Sequence, residues 1–228
     1  MINLYLGHDA RETVGTHVFI QSLIHHATVP VAITLLHKPM LEHAFGGRIP
    51  EGTNAFTMSR FLIPFLQDWR GTAIFMDGAD MLLRWDIAEL ASLSDPYKAV
   101  QVVQHDYRTN APRKYVGTTM ESDNEDYPRK NWASVMLINC AHYAWRKMTP
   151  SVILRGNKLE ALTFSWCPDQ YVGDLPVHWN WLVDEYGPSE TAKLLHWTQG
   201  VPGLPHYANV PHADEWRSTL GKVNYCTD

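Results

Sequence analysis

The segment Thr72-Ala-Ile-Phe-Met-Asp-Gly-Ala-Asp-Met-Leu-Leu83 joins a short apolar run to two carboxylates that flank a glycine. The apolar run 73–76 is typical of a strand that is buried on both faces, as central strands of parallel and mixed sheets are. We therefore expect Asp77 and Asp80 to emerge at the carboxyl end of a central strand, where open α/β folds bind their ligands. The segment predicts an α/β fold with its site at that edge of the sheet.

Two interpretations of the carboxylate pair remain open from these residues alone. Oxygen ligands suit Mg²⁺ or Mn²⁺, and Mg²⁺ is often held by one or two carboxylates together with substrate phosphates. Alternatively, Asp77-Gly78 is only a turn that leaves the strand. His196 ends the apolar run 193–196 and is a candidate third ligand, although a single histidine among the chain's 12 is more often a surface or core residue.

The size and composition of the chain are those of one folded domain over residues 1–228. Apolar residues make up 45% of the chain and charged residues 19%, which disfavours disorder. The formal net charge is −5 and no dense basic run occurs, so we expect no nucleic-acid partner. No stretch approaches the ~18 apolar residues of a membrane span, so we expect no integral membrane segment.

The three cysteines, Cys140, Cys167 and Cys226, are odd in number and widely spaced. This spacing disfavours both a disulfide scaffold and a structural zinc site, and favours a reducing compartment. The first residues lack the basic start and long apolar core of a signal peptide. The sequence therefore predicts a cytoplasmic protein.

Apolar periodicity and turn residues predict the order of the elements. Strands are expected at 2–6, 31–36, 72–76, 99–104, 133–138 and 193–196, and helices at about 9–27, 57–66, 86–93 and 141–147. The opening strand, helix and strand form a unit typical of parallel sheets. Asp9-Ala-Arg-Glu12 resembles a capping box, so we expect Glu12 to cap the first helix. The long polar segment 107–130 is either a binding loop or lid, or a mobile surface insertion.

No glycine-rich phosphate motif follows the first strand: G-x-x-x-x-G-K-[ST] and G-x-G-x-x-G are both absent from the sequence. Bound phosphate would therefore depend on a cation at Asp77 and Asp80, with Arg60 as a possible second clamp. Asp9 and Glu12 are acceptors that could bind a base or ribose, although capping the helix is the preferred interpretation for Glu12. The isolated basic pairs Arg113-Lys114 and Arg129-Lys130 are expected at the solvated surface.

Six segments occur together in an order that resembles one enzyme family. They are Tyr5-Leu-Gly-His-Asp-Ala-Arg-Glu12, Ser59-Arg-Phe-Leu62, Phe75-Met-Asp-Gly-Ala-Asp-Met-Leu-Leu-Arg-Trp-Asp-Ile-Ala-Glu-Leu90, Asn131-Trp-Ala-Ser-Val-Met-Leu-Ile-Asn139, Asp169-Gln170 with Leu175-Pro-Val-His-Trp-Asn180, and Leu195-His-Trp-Thr-Gln-Gly200. The chain resembles glycosyltransferases with the GT-A fold, most closely glycosyltransferase family 8, which includes glycogenin and bacterial lipopolysaccharide sugar transferases.

The resemblance implies a single-domain GT-A-like, Rossmann-like mixed sheet flanked by helices. It implies metal-dependent transfer of a hexose from a nucleotide-sugar donor, a UDP-sugar in preference to a GDP-sugar, to a saccharide or other hydroxyl acceptor, with retention. It further implies Mn²⁺ or Mg²⁺ held by Asp77, Asp80 and His196. The implied donor-binding residues are Gly7, His8, Asp9, Arg11, Arg60, Asp77, Gly78, Trp197 and Gly200. The residues implied around the transferred sugar, as catalytic residues, are Asn131, Ser134, Asp169 and Gln170.

The chain departs from the family pattern in two places. Its acidic motif, Asp77-Gly-Ala-Asp80, is one residue longer than Asp-x-Asp, and no lysine follows His196 where the family has one that contacts phosphate. Two other functions also use such features. One is a metal-dependent sugar-nucleotide phosphohydrolase or nucleotidyltransferase. The other is a non-catalytic module that binds nucleotide sugars.

Overall fold

A computed structural model describes residues 1–50, 52 and 54–223. Its strands are β1 (Ile2–His8), β2 (Val31–His37), β3 (Thr72–Met76), β4 (Met81–Leu83), β5 (Val100–Val102), β6 (Arg113–Lys114), β7 (Ser122–Asp123), β8 (Val135–Asn139), β9 (Val172–Asp174), β10 (Trp181–Leu182) and β11 (Leu194–His196). Its α-helices are α1 (Thr13–His26), α2 (Lys38–Phe45), α3 (Ile63–Leu66), α4 (Ile87–Ser92), α5 (Pro150–Arg155), α6 (Lys158–Leu162), α7 (Val183–Tyr186) and α8 (Ala213–Gly221). Short 3₁₀ turns precede several of them.

The main sheet is mixed and has the order β2-β1-β3-β8-β5-β9. Strands β2, β1 and β3 are parallel, whereas β8 runs antiparallel to both of its neighbours. Strand β3 is therefore central, and its residues 73–76 are all buried, as the apolar run predicted. A second sheet, β10-β11-β4, brings β11 beside the residues that follow Asp80. The mixed α/β fold expected from the sequence is confirmed.

The predicted elements appear close to their expected positions. Helix 9–27 forms as the 3₁₀ turn Ala10–Glu12 followed by α1, and helix 57–66 forms as the 3₁₀ turn Ser59–Leu62 followed by α3. Helix α4 begins as expected, because the Asp86 carboxylate accepts the Ala88 N–H. The expectation for Glu12 is wrong. Its side chain makes no capping bond within the described residues and instead accepts a hydrogen bond from Asn54 Nδ2 at 3.1 Å.

Helix α1 packs unusually close to the turn that carries the two carboxylates. Gly15 faces the backbone of Ala79, and a methyl group at Gly15 would lie only 1.9 Å from the Ala79 carbonyl oxygen. Since protein interiors are packed to crystal-like density, even one added carbon would displace a neighbour here. Gly15 therefore allows the helix to support the Asp77–Asp80 turn directly.

Two expectations from the sequence concern the cysteines and membrane-spanning segments. Cys140 and Cys167 are buried free thiols, and Cys226 lies outside the described residues. Within the described part of the chain, no helix is both long and apolar enough to cross a membrane.

Candidate active site

The turn after β3 is held between two other parts of the fold. The Asp77 N–H donates to the Ser134 carbonyl at 3.0 Å, and the Trp197 N–H donates to the Asp80 carbonyl at 2.9 Å. Gly78, between the carboxylates, has a φ of 79°, a left-handed conformation that favours glycine. These bonds fix the turn beside the end of β11, where His196 lies.

Asp77, Asp80 and His196 form a compact cluster. Each offers one ligand atom, and these atoms all lie within 4.8 Å of one another. His196 Nε2 is 3.4 Å from Asp80 Oδ2. Asp80 Oδ1 is buried and has no hydrogen-bond partner among the described residues. An orphaned carboxylate oxygen beside a second carboxylate and an imidazole is a donor set that fits a divalent cation.

The burial and mutual proximity of these groups shift their pKa values. Burial raises the pKa of Asp77 to about 6, against the opposing effect of the Arg60 guanidinium. Burial also raises the pKa of Glu12 well above its usual value, and the charge of Asp80 adds to that rise. Burial alone would lower the pKa of His196, but the charge and hydrogen bond of Asp80, together with the charges of Asp77 and Asp184, outweigh it and the pKa is raised. The cluster therefore favours positive charge, whether from protons or from a bound cation.

Asn180 orients the imidazole, and no motif in the sequence marked it for that role. The Ser134 hydroxyl donates to the Asn131 carbonyl at 2.7 Å, so its oxygen is free to accept from Asn180 Nδ2 at 2.8 Å. Asn180 Oδ1 then faces His196 Nδ1 at 2.9 Å. Because an amide oxygen only accepts, Nδ1 carries a proton, and the neutral ring has its lone pair at Nε2, facing Asp80.

Arg60 is buried beside Asp77 and is held there through its Nη1 and Nε atoms. Its Nη1 lies 2.7 Å from Asp77 Oδ1 and donates to the Ala133 carbonyl at 2.6 Å, while Nε donates to the Thr57 carbonyl at 2.9 Å. Its guanidinium carbon is 4.7 Å from the centre of the Phe75 ring. The structure thus brings Arg60 to the cluster, where it holds one of the candidate ligands.

A cavity of about 350 Å³ opens in front of the cluster. Its walls include the three candidate ligands together with Arg60, Asn131 and Ser134. The segment 107–130 supplies another wall: Lys114, Tyr115, Asp123, Asn124, Glu125, Asp126, Tyr127 and Lys130. The expectation that 107–130 contributes to binding agrees with this position, although β6 and β7 make part of it a regular hairpin.

The expectation that the basic pairs lie at the solvated surface is only partly correct. It is correct for Arg113, which is exposed and pairs with Glu121 and Asp123. The expectation is wrong for Lys114 and Lys130, which line the cavity. In the hairpin, successive side chains point to opposite faces, so only one residue of Arg113-Lys114 can point outward.

The residues expected to hold the nucleoside lie at the end of β1, outside the cavity walls. Asp9 is engaged by its neighbours: Oδ2 lies 2.6 Å from Arg11 Nη2 and accepts the Ala55 N–H at 2.9 Å. Burial alone would raise the pKa of Asp9, but the bonds from Arg11 and Ala55 hold it at about 2. A methyl group at Gly7 would clash with the Phe56 ring, and the His8 ring lies 5.5 Å from that of His37.

Asp169 and Gln170 are not brought to the cluster. They occupy a 3₁₀ turn before β9, which runs in the same direction as β3, so they lie at the amino end of the sheet and Asp77 lies at its carboxyl end. Asp169 is exposed, pairs with Arg129 at 2.6 Å and lines a separate depression. Their assignment to the transferred sugar stays a prediction that this placement does not support.

Trp197 and Gly200, which follow β11, support the site by packing against other parts of the fold. The Trp197 ring is fully buried against Val18 and Trp216, so its side chain does not reach the cavity. Gly200 packs directly on the Tyr207 ring, and a methyl group there would lie 2.3 Å from it. The Tyr207 hydroxyl in turn accepts the Val116 N–H at 3.0 Å, which ties this loop to the hairpin.

Comparisons with known proteins agree with this geometry. The galactosyltransferase LgtC, solved in complex with donor and acceptor sugar analogs, superposes with a TM-score of 0.64 at 11% identity, covering 100% of this chain and 98% of LgtC. The bifunctional glycosyltransferase WbbM gives 0.54 at 15% identity over 96% of this chain and 51% of its own. The glycosyltransferase GlyE of Streptococcus pneumoniae TIGR4 gives 0.53 at 14% identity over 99% and 65%. At such identities these likenesses show the fold, which is the GT-A fold of glycosyltransferases.

Sequence comparison gives one closer relative. No protein-family model matches the chain. Protein CDI of Arabidopsis thaliana is 33% identical over 231 residues, which cover 97% of this chain and 86% of that protein. An identity of that level over nearly the whole chain shows common descent, and the chain belongs to the family of Protein CDI.

Proposed function

We propose that this protein is a metal-dependent glycosyltransferase whose residues 1–228 act as one catalytic domain. In this proposal it moves a hexose from a nucleoside diphosphate sugar, with UDP as the first candidate, to a hydroxyl of a saccharide or other acceptor. The observation that carries the proposal is the cluster of Asp77, Asp80 and His196 at the carboxyl end of β3. A fold alone hosts many activities, so the cluster and the cavity in front of it supply the argument.

The side chains around the cluster define how it would hold a cation. Two carboxylates and one imidazole suit Mn²⁺, and the carboxylates also suit Mg²⁺. When bound, such a cation would offset the charge that grows on the leaving diphosphate. Arg60 keeps Asp77 in place. Asn180 binds Nδ1 of His196, which leaves the Nε2 lone pair beside Asp80 available to a cation.

The cavity provides room for the donor beside the cluster. Asn131 and Ser134 line it and are joined to each other and to Asn180 by hydrogen bonds, so their polar groups are held in one arrangement. We assign these two residues to the transferred sugar. The resemblance to family 8 extends the proposal to retention at the anomeric carbon, which the proton NMR spectrum of the first-formed product would test.

The first experiment is a thermal-shift panel of UDP, GDP, CDP and ADP, each with and without Mn²⁺. Binding to the native state raises the midpoint by mass action, so a shift with one diphosphate only when Mn²⁺ is present would support the proposal and name the base. The Asp80→Asn variant, which keeps the size of the side chain, should lose that shift. If none of the four diphosphates shifts the wild type with Mn²⁺, the metal-nucleotide site is wrong.

A transfer assay separates the proposed activity from its two rivals. With the donor identified, we expect product on an added sugar acceptor, and loss of product in Asp80→Ala and His196→Ala. Hydrolysis of the donor without transfer to any sugar in an acceptor panel would favour a phosphohydrolase. Donor binding that is indifferent to Mn²⁺, with no turnover, would favour a binding module.

A further inference from the structure

Lys114 is a partly buried cation that lines the cavity beside the acidic cluster without pairing to it. Its side chain lines the cavity together with Asp77 and Asp80. Among the described residues, its ammonium group has neither a hydrogen bond nor an ion pair; the nearest ring is that of Tyr115, with the centroid 5.8 Å from Nζ. Removing a charge from water, even in part, is costly unless the charge is paired, so an unpaired ammonium at a cavity wall indicates a missing counter-charge.

The other cations around the cavity are already engaged or exposed. Arg60 is held by Asp77 and two backbone carbonyls. Lys130 Nζ donates to Asn124 Oδ1 and to a backbone carbonyl, both at 2.8 Å. Lys158, also on the cavity wall, is exposed. Of these three lysines, Lys114 is therefore the one that is partly buried and whose donors, within the described part of the chain, remain available to a ligand.

The hairpin holds Lys114 in this position. Strand β6 pairs with β7, and Arg113 turns outward to Glu121 and Asp123, which leaves Lys114 on the cavity side. The next residue, Tyr115, is 2% exposed and has a φ of 54°. Its N–H donates to the Gln199 carbonyl at 2.7 Å, which anchors the hairpin to the loop after β11.

The charges around Lys114 indicate the kind of ligand that it would bind. Burial lowers the pKa of Lys114, while the charges of Asp80, Asp77 and Glu12 act in the opposite direction. These carboxylates are farther from Nζ than an ion pair requires. A cation bound to Asp77 and Asp80 would compensate their charge, and the Lys114 ammonium would then face the cavity with no anion to match it.

We propose that Lys114 binds the phosphate groups of the nucleotide donor, and of the nucleoside diphosphate that leaves, in the cavity that it lines together with the candidate metal ligands. This inference rests on the proposed function, since it takes the ligand to be a nucleoside diphosphate. The ammonium would stabilise negative charge on phosphate oxygens through charge-assisted hydrogen bonds.

The test is isothermal titration calorimetry with UDP in the presence of Mn²⁺, on the full chain. The variants are Lys114→Gln, Lys114→Arg and, as the matched control, Arg113→Gln, which removes one charge from the other face of the same strand. We expect Lys114→Gln to weaken UDP binding by about 10- to 100-fold, as expected for loss of a hydrogen bond from a charged donor. Lys114→Arg should recover most of the affinity, and Arg113→Gln should stay within about threefold of wild type. Thermal midpoints without ligand verify that each variant is folded.

The outcomes separate this inference from the proposed function. Wild-type affinity in a folded Lys114→Gln variant would overturn the inference alone. An equal loss in Lys114→Gln and Arg113→Gln would also overturn it, because the hairpin rather than the ammonium would then be responsible. If the wild type binds none of UDP, GDP, CDP and ADP with Mn²⁺, both the proposed function and this inference are wrong.

Discussion

The Nδ1 atom of His196 lies 2.9 Å from the Oδ1 atom of Asn180, and the amide is fixed in that orientation by Ser134. This contact decides which imidazole nitrogen is available to a cation. We expect Asn180→Ala to weaken Mn²⁺ binding by about 10- to 100-fold, as is typical when the partner of a ligating histidine is removed. Mn²⁺ affinity, measured by calorimetry, tests this. Asn139→Ala is the control, since its amide bonds to the Pro96 carbonyl at the other end of β8. Unchanged affinity in a folded Asn180→Ala variant would contradict the role.

The close approach of Gly15 to Ala79 predicts a strong effect of one added methyl group. Gly15→Ala should destabilise the protein by about 1–3 kcal/mol, because the new carbon would overlap the Ala79 carbonyl oxygen. The thermal shift caused by Mn²⁺ should also decrease, since Ala79 lies between Asp77 and Asp80. Chemical denaturation measures the first effect. Gly221→Ala is the control, because a methyl group at that position meets nothing within 4 Å in the described part of the chain.

Removal of one partner of the Arg60–Asp77 pair should lower the stability of the protein more than replacement of both partners. Arg60→Met removes the guanidinium from a site where Arg60 is 5% exposed, and leaves the Asp77 carboxylate buried without it. We expect a loss of about 3 kcal/mol in the free energy of unfolding at neutral pH. The double variant Arg60→Met/Asp77→Asn should recover part of that loss. If the double variant is no more stable than Arg60→Met, the carboxylate charge is not the cause.

Asp184 predicts a pH dependence of stability at the edge of the site. Burial raises the pKa of Asp184 to about 6, against the hydrogen bond from the Gln199 N–H. A carboxyl whose pKa is raised on folding contributes stability below its unfolded pKa, and that contribution is lost as the pH rises through about 6. Asp184→Asn should therefore match wild type near pH 4 and be more stable by about 1–2 kcal/mol at pH 7.5. Equal stability of the two proteins across this range would contradict the assignment.

Local sequence was enough to predict much of the fold. The apolar run 73–76 and the carboxylates after it predict a central strand that ends at a site, because burial on both faces requires apolar side chains in succession. Asp86 likewise marks the start of α4 through a bond to a backbone group two residues away. Such features depend on a few consecutive residues, so the sequence displays them directly.

The sequence alone determined six of the strands (β1, β2, β3, β5, β8 and β11), the paired carboxylates and the candidate histidine. Only the tertiary structure decided that Glu12 does not cap α1, that Lys114 faces a cavity, that Asn180 orients His196, and that Asp169 lies at the opposite end of the sheet. The physical reason is distance along the chain. Asn180 and Ser134 are 46 residues apart and meet only because β8 and β10 begin close together in the fold. No local pattern in the sequence shows which distant segment a polar side chain will meet.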